Sequence, residues 1–362
     1  MGQTGYINEI FDWISELAGI ISVDIKKISP DECMGWFYDT GNGRIHNEKN
    51  TFFSIGGIAG MYRGAKISQP VIYQNEIGYL GLLACRINGD VCFLIQAKIE
   101  PGNINCIQLS PTIQATKSNF TQQHGGAKPA YLGYFINASP EDIIVDQIQS
   151  EQSSRFMGKR NRNIIVWIRD PETVEVGKNH RWISFTVLKE LMKHDNLVNM
   201  DTRTVLSCIP YSLMPESFWG RPFADPCIKK SVYDRPDMDT VVRLYHNINN
   251  LRMFNTDALS PVPLYALDDW HFKNNEFVCD RDYAFKLIFC EISIEGREVR
   301  HWCQPLFEAV GKAVFGLIYR KKGGKTEFLI KVRPEVGCFD VAEAGPSVQH
   351  EAVCAEPKDA VT

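Results

Sequence analysis

The 362-residue sequence lacks both the long apolar runs of a membrane protein and the charge excess of a nucleic-acid-binding protein. No stretch approaches the roughly 18 uninterrupted apolar residues that a membrane-spanning helix needs. The formal net charge is −4, from 39 basic and 43 acidic side chains, so no basic field favours nucleic acid as a partner. The N-terminal stretch has neither the basic region nor the clean apolar core of a signal peptide. We therefore expect a cytoplasmic protein that binds neither membrane nor nucleic acid.

Paired cysteines and the common cofactor motifs are also missing. The eleven cysteines are scattered singly and form no C-x-x-C pair, which argues against a zinc centre and for reduced thiols. No G-x-G-x-x-G follows a first strand, and the chain has no P-loop, no G-x-S-x-G and no H-E-x-x-H. The sequence thus contains no recognisable motif for hydride transfer, ATP chemistry or a catalytic metal. We expect neither a cofactor nor a metal.

One stretch of the sequence is present twice. Residues 69–114 align without a gap with residues 304–349, and 12 of the 46 aligned positions are identical. An ungapped match of this length indicates two copies of one structural unit. In each copy, apolar β-forming residues flank a short glycine-containing turn, at 88–90 in the first and at 322–325 in the second. This pattern predicts a β-hairpin in each copy.

The segment between the copies has a different sequence pattern. The Ser-Pro pair at 139–140, followed by two acidic residues, predicts a helix start. Residues 163–170 predict a short strand, and 182–197 carry apolar residues at helical spacing. Residues 216–262 are rich in Pro, Asp and Arg and are typical of a linker or docking segment. The alternation of sheet-rich and helical stretches predicts an α+β fold.

Uncharged polar side chains are concentrated between residues 96 and 126. Gln96, Lys98 and Glu100 alternate along a predicted strand, which places all three on one face. Amides and hydroxyls donate and accept hydrogen bonds without charge, so such a set suits a sugar or a base edge, and equally a plain polar surface. The chain continues with further polar candidates: Asn103, Gln108, Ser110, Thr112, Gln114, Lys117, Ser118, Asn119 and His124.

Two further polar blocks follow, at 150–163 and 196–207. The basic run in the first block is typical of a solvated helix end, and its alternative is a diphosphate clamp that uses Arg160 and Arg162. The second block, which contains Arg203, favours a buried Asn/Asp/Arg network that fixes a helix start.

These three blocks, in this order, resemble the NDP-hexose 2,3-dehydratases of deoxysugar biosynthesis. The resemblance is carried by QPVIYQNEIGYLGLL, IQAKIEPGNINCIQLSPTIQATKSNFTQQHGG, SEQSSRFMGKRNRN and NLVNMDTRTVLSCIP. It implies two tandem Nudix-like units, the second one shortened, which we place at 1–230 and 231–362. It also implies a dTDP-linked 4-keto-6-deoxyhexose as substrate. A homodimer and a 3-ketoreductase that consumes the product are further implications of the family.

The reaction implied by the resemblance is loss of water across C2 and C3 of the sugar, without metal or nicotinamide. A base removes the C3 proton, which the C4 ketone acidifies, and an acid protonates the departing C2 hydroxyl. Glu100 and His124 are the acid/base candidates, while Lys98 holds the enolate or the diphosphate. The structural alternatives are an ion pair for Glu100 and a turn-capping role for His124. The candidates for substrate binding are Gln96, Asn103, Gln108, Ser110, Thr112, Gln114, Lys117, Ser118, Asn119, Arg160, Arg162 and Arg203.

The second copy departs from the first at its amides. Lys331 stands where the first copy has Gln96, and the polar continuation after Gln114 has no counterpart after Gln349. We expect the first copy to keep the chemistry and the second to be a scaffold or an auxiliary nucleotide site. A second sheet without its covering helix would expose apolar surface.

Three other functions stay open on the sequence alone. The first is a non-catalytic sugar-nucleotide binding protein built on the same fold. The second is a Nudix-type diphosphate hydrolase, against which the missing metal carboxylates argue. The third is a sugar 3,4-ketoisomerase, because it needs the same C3 proton abstraction without loss of the C2 hydroxyl.

Overall fold

A computed structural model describes residues 3–49, 53–117, 128–220, 222–295 and 299–352. Three large β-sheets and three two-stranded ribbons account for most of this part of the chain, and the helices are few, so the predicted α+β class is confirmed. Among the described residues, no helix has the length and apolar character needed to cross a bilayer. The helices are α1 (Gln3–Ile20), α2 (Leu132–Ile136), α3 (Phe185–Leu191), α4 (Met200–Ser207), α5 (Pro226–Tyr233) and α6 (Met238–Met253).

The first copy of the repeat forms the centre of a seven-stranded mixed sheet. Its strands are β6 (Gly78–Ile87), β7 (Asp90–Ile99), β8 (Ile107–Ser110), β9 (Ile113–Ala115), β10 (Ile143–Ser150), β12 (Arg160–Trp167) and β13 (His180–Ser184). The predicted hairpin is confirmed, because Asn88 and Gly89 take positive φ angles and join β6 to β7. β12 runs parallel to β6, while β13 runs antiparallel to β7.

Two apolar layers cover this sheet. On one face, Ile10 and Trp13 of α1 and the buried side of α3 and α4 share a core with residues of β6 and β7. On the other face, Leu132 and Phe135 of α2 pack in a second core cluster. Lys98 and Glu100 therefore lie at the end of a strand that is held from both sides.

The predicted helix after residue 139 is wrong. The Ser-Pro pair starts only a three-residue 3₁₀ turn, Pro140–Asp142, and the chain then enters β10. β10 pairs along its length with β12, so its backbone groups are satisfied by the sheet and helix-start chemistry is overridden. The predicted strand at 163–170 corresponds to β12. The predicted helix at 182–197 is confirmed in part, because the chain first forms β13 and then α3, which Ser184 caps by accepting from the backbone N–H of Val187.

Two other sheets complete the described fold. A six-stranded sheet contains β2 (Trp36–Asp39), β3 (Arg44–Asn47), β4 (Ser54–Tyr62), β5 (Ala65–Tyr73), β11 (Phe156–Met157) and β14 (Ala258–Val262). A five-stranded sheet contains β1 (Val23–Ile28), β15 (Trp270–Lys273), β16 (Glu276–Cys279), β17 (Phe285–Ile294) and β18 (His301–Ala309). The predicted linker at 216–262 contains α5, α6 and β14, and β14 docks beside β4.

The second copy of the repeat reproduces the strand register of the first. It forms three ribbons: β19 (Val314–Gly316) with β24 (Val348–His350), β20 (Tyr319–Lys322) with β21 (Lys325–Phe328), and β22 (Lys331–Pro334) with β23 (Ala342–Gly345). Each residue pair among β6, β7, β8 and β9 recurs 235 residues later, which confirms the duplication at the level of paired residues. Examples are Ala84–Phe93 with Tyr319–Phe328, Gln96–Ser110 with Lys331–Gly345, and Leu80–Gln114 with Phe315–Gln349.

The second copy is much less covered than the first. Over the described ranges, no strand flanks its ribbons as β12 and β13 flank the first hairpin. Large apolar side chains are exposed in consequence, with Phe315 at 67% and Tyr319 at 61%. The second copy thus exposes apolar surface as expected, although it does not lack helical contacts, since α5 contacts β21 and α6 contacts β22 and β23.

One contact between the 153–158 segment and the second copy of the repeat gives a stability prediction with its own control. Gly337 donates its N–H to the carbonyl of Ser153, 2.6 Å away, and accepts from the N–H of Gly158. A Cβ at Gly337 would lie 1.8 Å from the carbonyl oxygen of Phe156, whereas a Cβ at Gly102, the equivalent first-copy residue, meets no heavy atom within 4 Å. The same residue type is thus packed in one copy and open in the other.

We expect Gly337→Ala to destabilise the protein by about 2–4 kcal/mol, because the backbone must move to admit the methyl group. Gly102→Ala should change the free energy of unfolding by less than about 0.5 kcal/mol. Thermal and urea unfolding of the two variants measure this difference. Equal effects of the two substitutions would contradict the contact between the 153–158 loop and the second copy.

Candidate active site

The site begins where β7 ends, at Lys98 and Glu100. Lys98 Nζ lies 2.8 Å from Glu100 Oε1, and Gln114 Nε2, from β9, donates to the same oxygen at 3.1 Å. Glu100 Oε2 accepts no hydrogen bond from the described residues. The ion pair expected as the structural alternative is therefore present, and it still leaves one carboxylate oxygen available for a proton or a ligand.

An asparagine at the start of α4 orients this carboxylate through a short amide relay. Asn199 Oδ1 accepts from the backbone N–H of Thr202 at 2.8 Å, which caps the helix. Asn199 Nδ2 donates to Ser110 Oγ at 2.9 Å and to Gln114 Oε1 at 3.2 Å. Because the oxygen of Gln114 is occupied in this way, its amide nitrogen faces Glu100. The predicted network that fixes a helix start is confirmed in part, because Asn199 caps the helix while Arg203 is exposed.

Three buried or half-buried charged groups surround this relay, and the sequence did not single them out. Asp201 lies in the first turn of α4 and is only 8% exposed. Burial, followed by the charges of Glu151 and Glu100, raises the pKa of Asp201 to about 7. Burial also raises the pKa of Glu151 and lowers the pKa of Lys159. A carboxyl group that changes protonation near neutral pH can donate or accept a proton during turnover.

These charged side chains come from separate elements of the central sheet region. Lys159 precedes β12 and donates to the carbonyl of Glu76 at 2.7 Å, while Glu151 follows β10 and accepts from the amide of Asn161. We refer to the group as the acid–lysine cluster, consisting of Lys98, Glu100, Glu151, Lys159 and Asp201. Its members lie in the three polar blocks of the sequence. Their only signal there was a high density of polar residues, because the strand pairings that bring the blocks together are not readable locally.

The predicted phosphate-binding arginines do not converge. The Arg162 guanidinium is held by Asp146, with N–O distances of 2.6 and 2.7 Å, and by the Tyr79 hydroxyl. Arg160 stacks over Phe339, with 3.6 Å between the guanidinium carbon and the ring centroid. Arg203 is exposed on α4, and its Nε donates to the carbonyl of Asn199 at 3.4 Å. The prediction of a solvated helix end at 159–162 is wrong, because these residues lead into β12, where the sheet binds their backbone groups.

Several other predicted residues serve the local fold. Thr112 Oγ1 accepts from the N–H of Leu83 at 2.9 Å and donates to the carbonyl of Leu94, which joins β6 to β7. Asn103 Nδ2 donates to the carbonyls of Lys98 and Cys106, each at 3.3 Å. Gln96 lies opposite Ser110, Gln108 lies opposite Lys98, and Lys117 is exposed. Ser118, Asn119 and His124 lie outside the described residues, so their roles stay predictions.

The second copy keeps the core of the first-copy arrangement. Gln349 Nε2 donates to Glu335 Oε1 at 2.5 Å, which repeats the Gln114–Glu100 contact. A cavity of about 300 Å³ lies beside Glu335 and is also lined by Arg155, from the 153–158 segment. Arg155 is bound there by an ion pair of 2.9 Å to Glu351 and lies over the ring of Phe285. The polar neighbours Gln96 and Ser110 have become Lys331 and Gly345.

Comparison with known proteins identifies the family. The family model "NDP-hexose 2,3-dehydratase" matches residues 7–209 and 242–355. The dTDP-4-dehydro-6-deoxy-α-D-glucopyranose 2,3-dehydratase of Saccharopolyspora spinosa is 34% identical over 347 residues, covering 94% of this chain and 71% of that protein. The proteins of the same name from Streptomyces violaceoruber and Amycolatopsis orientalis are 34% and 33% identical, each over 93% of this chain and over 74% and 69% of their own lengths.

Among solved structures, the crystal structure of C. elegans Ap4A hydrolase matches with a TM-score of 0.25 and 9% identity, over 36% of this chain and 93% of that chain. A likeness of this size supports no conclusion about the fold. The sequence relatives and the family model are decisive by contrast, since they extend over both copies of the repeat. The chain belongs to the NDP-hexose 2,3-dehydratase family.

Proposed function

We propose that this protein removes water across C2 and C3 of a dTDP-linked 4-keto-6-deoxyhexose, to give the 3,4-diketo-2,6-dideoxy sugar. The observation that carries the proposal is the Glu100 carboxylate, fixed through one oxygen by Lys98 and Gln114 and without a hydrogen bond from the described residues at the other, within a chain that matches the 2,3-dehydratases over 94% of its length. A base held in this manner suits proton abstraction next to a ketone.

The chemistry divides among three members of the acid–lysine cluster. The C4 ketone acidifies the C3 proton, and Glu100 removes it. Negative charge then develops on the C4 oxygen, where the ammonium group of Lys98 stabilises it. Asp201, which carries a proton over part of the neutral pH range, donates that proton to the departing C2 hydroxyl, so that water leaves.

The product forms by relaxation of the resulting enol. The C3 hydroxyl of the enol gives up its proton and restores Asp201. The proton on Glu100 exchanges with solvent, and Glu100 then delivers a proton to C2. The sugar has then lost one water molecule, and both carboxyl groups return to their starting states. No electron is transferred to or from an external acceptor, so we propose that the reaction needs no nicotinamide.

We also propose that the reaction needs no metal. Glu100 already has an ammonium and an amide donor on one oxygen, and the charge of Lys159 offsets that of Glu151. Positive charge for the enolate is therefore supplied by the side chains of the chain itself. For the diphosphate we favour Arg203, because Arg160 and Arg162 are engaged with Phe339 and Asp146.

Our proposals extend to the domain organisation, the oligomeric state and the partner enzyme. We propose two tandem Nudix-like units, at 1–230 and 231–362, and the recurrence of the same strand register supports the duplication. The second unit acts as a scaffold, since it keeps Glu335 and Gln349 but not the surrounding amides. We propose further that the protein is a cytoplasmic homodimer whose product is reduced at C3 by a partner enzyme, because 3,4-diketo sugars are reactive.

The proposal is tested with the purified chain and dTDP-4-keto-6-deoxyglucose in heavy water, with EDTA present and nicotinamide absent. We expect the sugar to lose one water molecule and to gain deuterium at C2. NMR and mass spectrometry detect both changes. Cleavage of the diphosphate would indicate a hydrolase, and retention of the C2 hydroxyl with isomerised ketone would indicate a ketoisomerase. Binding without any change of the sugar would indicate a sugar-nucleotide binding protein.

A further inference from the structure

Three side chains with metal-ligating atoms meet on the five-stranded sheet, outside the acid–lysine cluster. Glu291 on β17 lies directly opposite Cys303 on β18. Two residues further along β17, Ser293 lies opposite His301. Residues that alternate along paired strands point to the same face, so all four side chains share one surface. The ligand atoms of Glu291, His301 and Cys303 lie within 4.8 Å of one another. Within the described ranges, no other three such side chains converge in this way.

The local contacts hold the histidine ring in a suitable orientation. His301 Nδ1 shares a hydrogen bond of 3.0 Å with Ser293 Oγ. This contact leaves Nε2 directed at Glu291, with 3.6 Å between Nε2 and Oε1. A hydrogen bond to the second ring nitrogen is the usual way in which a metal-binding histidine is oriented. The arrangement thus supplies an outer contact as well as the ligands.

The three ligands differ in solvent exposure, from the buried Cys303 to the exposed His301. Cys303 is buried in the core cluster that also contains Cys33 and Phe289, Glu291 is half-buried, and His301 is exposed. An ion could therefore enter from the solvent side and bind a thiolate that is shielded from other partners. The charged residues opposite on β1 are Asp24 and Lys26, which are both exposed and of opposite sign. Lys26 makes no ion pair with Glu291 in the described part of the chain.

We propose that Glu291, His301 and Cys303 bind a zinc ion, with water as the fourth ligand. Sulfur, imidazole nitrogen and carboxylate oxygen are the ligand types that zinc takes in proteins, and mixed sets of three with a water are common. Neighbouring ligands of tetrahedral zinc lie about 3.3–3.7 Å apart, given bonds of about 2.0–2.3 Å. The Glu291–His301 distance of 3.6 Å already lies in this range. The sulfur of Cys303 lies within 4.8 Å of both partner atoms, so binding requires a side-chain shift of about 1 Å. Binding releases the thiol proton to solvent.

C-x-x-C pairs occur in zinc sites whose ligands lie within one short segment, so their absence does not exclude a site of this kind. Here the ligands come from two strands, and the register of β17 and β18 brings them together. The ion would join β18, at its first residues, to the neighbouring strand. Its effect would be to stabilise this edge of the sheet, independently of the sugar chemistry.

The test uses the full chain, stripped with EDTA and dialysed. We expect calorimetry to give one zinc per chain. Cobalt(II) should give a thiolate charge-transfer band in the near ultraviolet and tetrahedral ligand-field bands in the visible. Because zinc binds only the folded state, saturating zinc should raise the melting temperature by about 2–4 °C.

Cys303→Ser should abolish the charge-transfer band, and His301→Ala should weaken zinc binding by at least about 100-fold. His301 is exposed, so its variant tests binding without disturbing the core. Cys33→Ser is the matched control, since Cys33 lies in the same core cluster but outside the ligand group, and it should keep the band. Absence of the cobalt spectrum in the wild type, its survival in Cys303→Ser, or its loss in Cys33→Ser would each overturn the proposal.

Discussion

Glu100→Gln is expected to lower kcat for water loss by about 10²–10⁴-fold, the usual contribution of a positioned base. The substitution keeps the size of the side chain and an oxygen that Lys98 and Gln114 can both reach, so the local structure should persist. Glutamine cannot accept the C3 proton, however. The measurement is single-turnover kinetics with dTDP-4-keto-6-deoxyglucose, together with exchange of the C3 proton in heavy water. Both rates should fall together, while binding of the substrate changes little.

The duplication provides a control for this variant within the same molecule. Glu335 occupies the equivalent position of the second copy and accepts from Gln349 as Glu100 accepts from Gln114. If the first copy performs the chemistry, Glu335→Gln should leave kcat within about threefold of the wild type. A large loss from Glu335→Gln with none from Glu100→Gln would assign turnover to the cavity beside Glu335. Loss of C3 exchange in neither variant would exclude both carboxylates as the base.

The repeated unit was largely predictable because its signals are local. Apolar residues at a period of two around an Asn-Gly turn dictate a hairpin, and the ungapped alignment fixes the register of the second copy from that of the first. A helix start fixed by polar side chains within 196–207 was also readable, since an amide before a helical stretch satisfies a free N–H group. In each case the deciding contacts lie within a few residues or within one aligned copy.

The failures have a common physical cause in long-range pairing. The stretch after residue 139 carries a good helix start, yet β12 offers it a complete set of hydrogen-bond partners and it becomes a strand. The basic run that contains Lys159 was interpreted as a solvated helix end, because cations favour helix C-termini. In the structure, the sheet buries Lys159, which is only 3% exposed. A sequence gives no measure of desolvation, and desolvation is what makes these groups chemically unusual.

Asp201 is the residue for which this limit matters most. An acidic residue in the first turn of a helix is normally stabilised as an anion by the helix dipole. Here burial and the neighbouring charges of Glu151 and Glu100 outweigh that effect and raise the pKa of Asp201 to about 7. Only the three-dimensional meeting of three polar blocks produces this balance, so no local pattern could have indicated it.

Asp201→Asn is expected to lower kcat by about 10²-fold or more, because the variant has no proton to give to the C2 hydroxyl. In the wild type, kcat should fall as the pH rises above about 7, since Asp201 then loses its proton. The variant should lack this decline. The measurement is kcat between pH 5.5 and 9 in both proteins. Asp195→Asn is the matched control, as Asp195 is exposed and contributes only a backbone carbonyl nearby, and it should keep the full profile.

The same substitution should have the opposite effect on stability, which separates a chemical role from misfolding. A carboxyl group whose pKa is raised on folding, here from 3.8 to about 7, stabilises the folded state at low pH. That contribution is lost as the pH rises towards 7, because the buried carboxylate must then carry its charge. Asp201→Asn should therefore melt about 2–5 °C higher than the wild type at pH 8, and the gap should narrow as the pH falls towards 4. A variant that is less active and yet more stable at pH 8 identifies Asp201 as a proton donor whose buried charge lowers the stability of the folded protein. A variant that is less active and less stable at every pH would instead assign Asp201 to the fold.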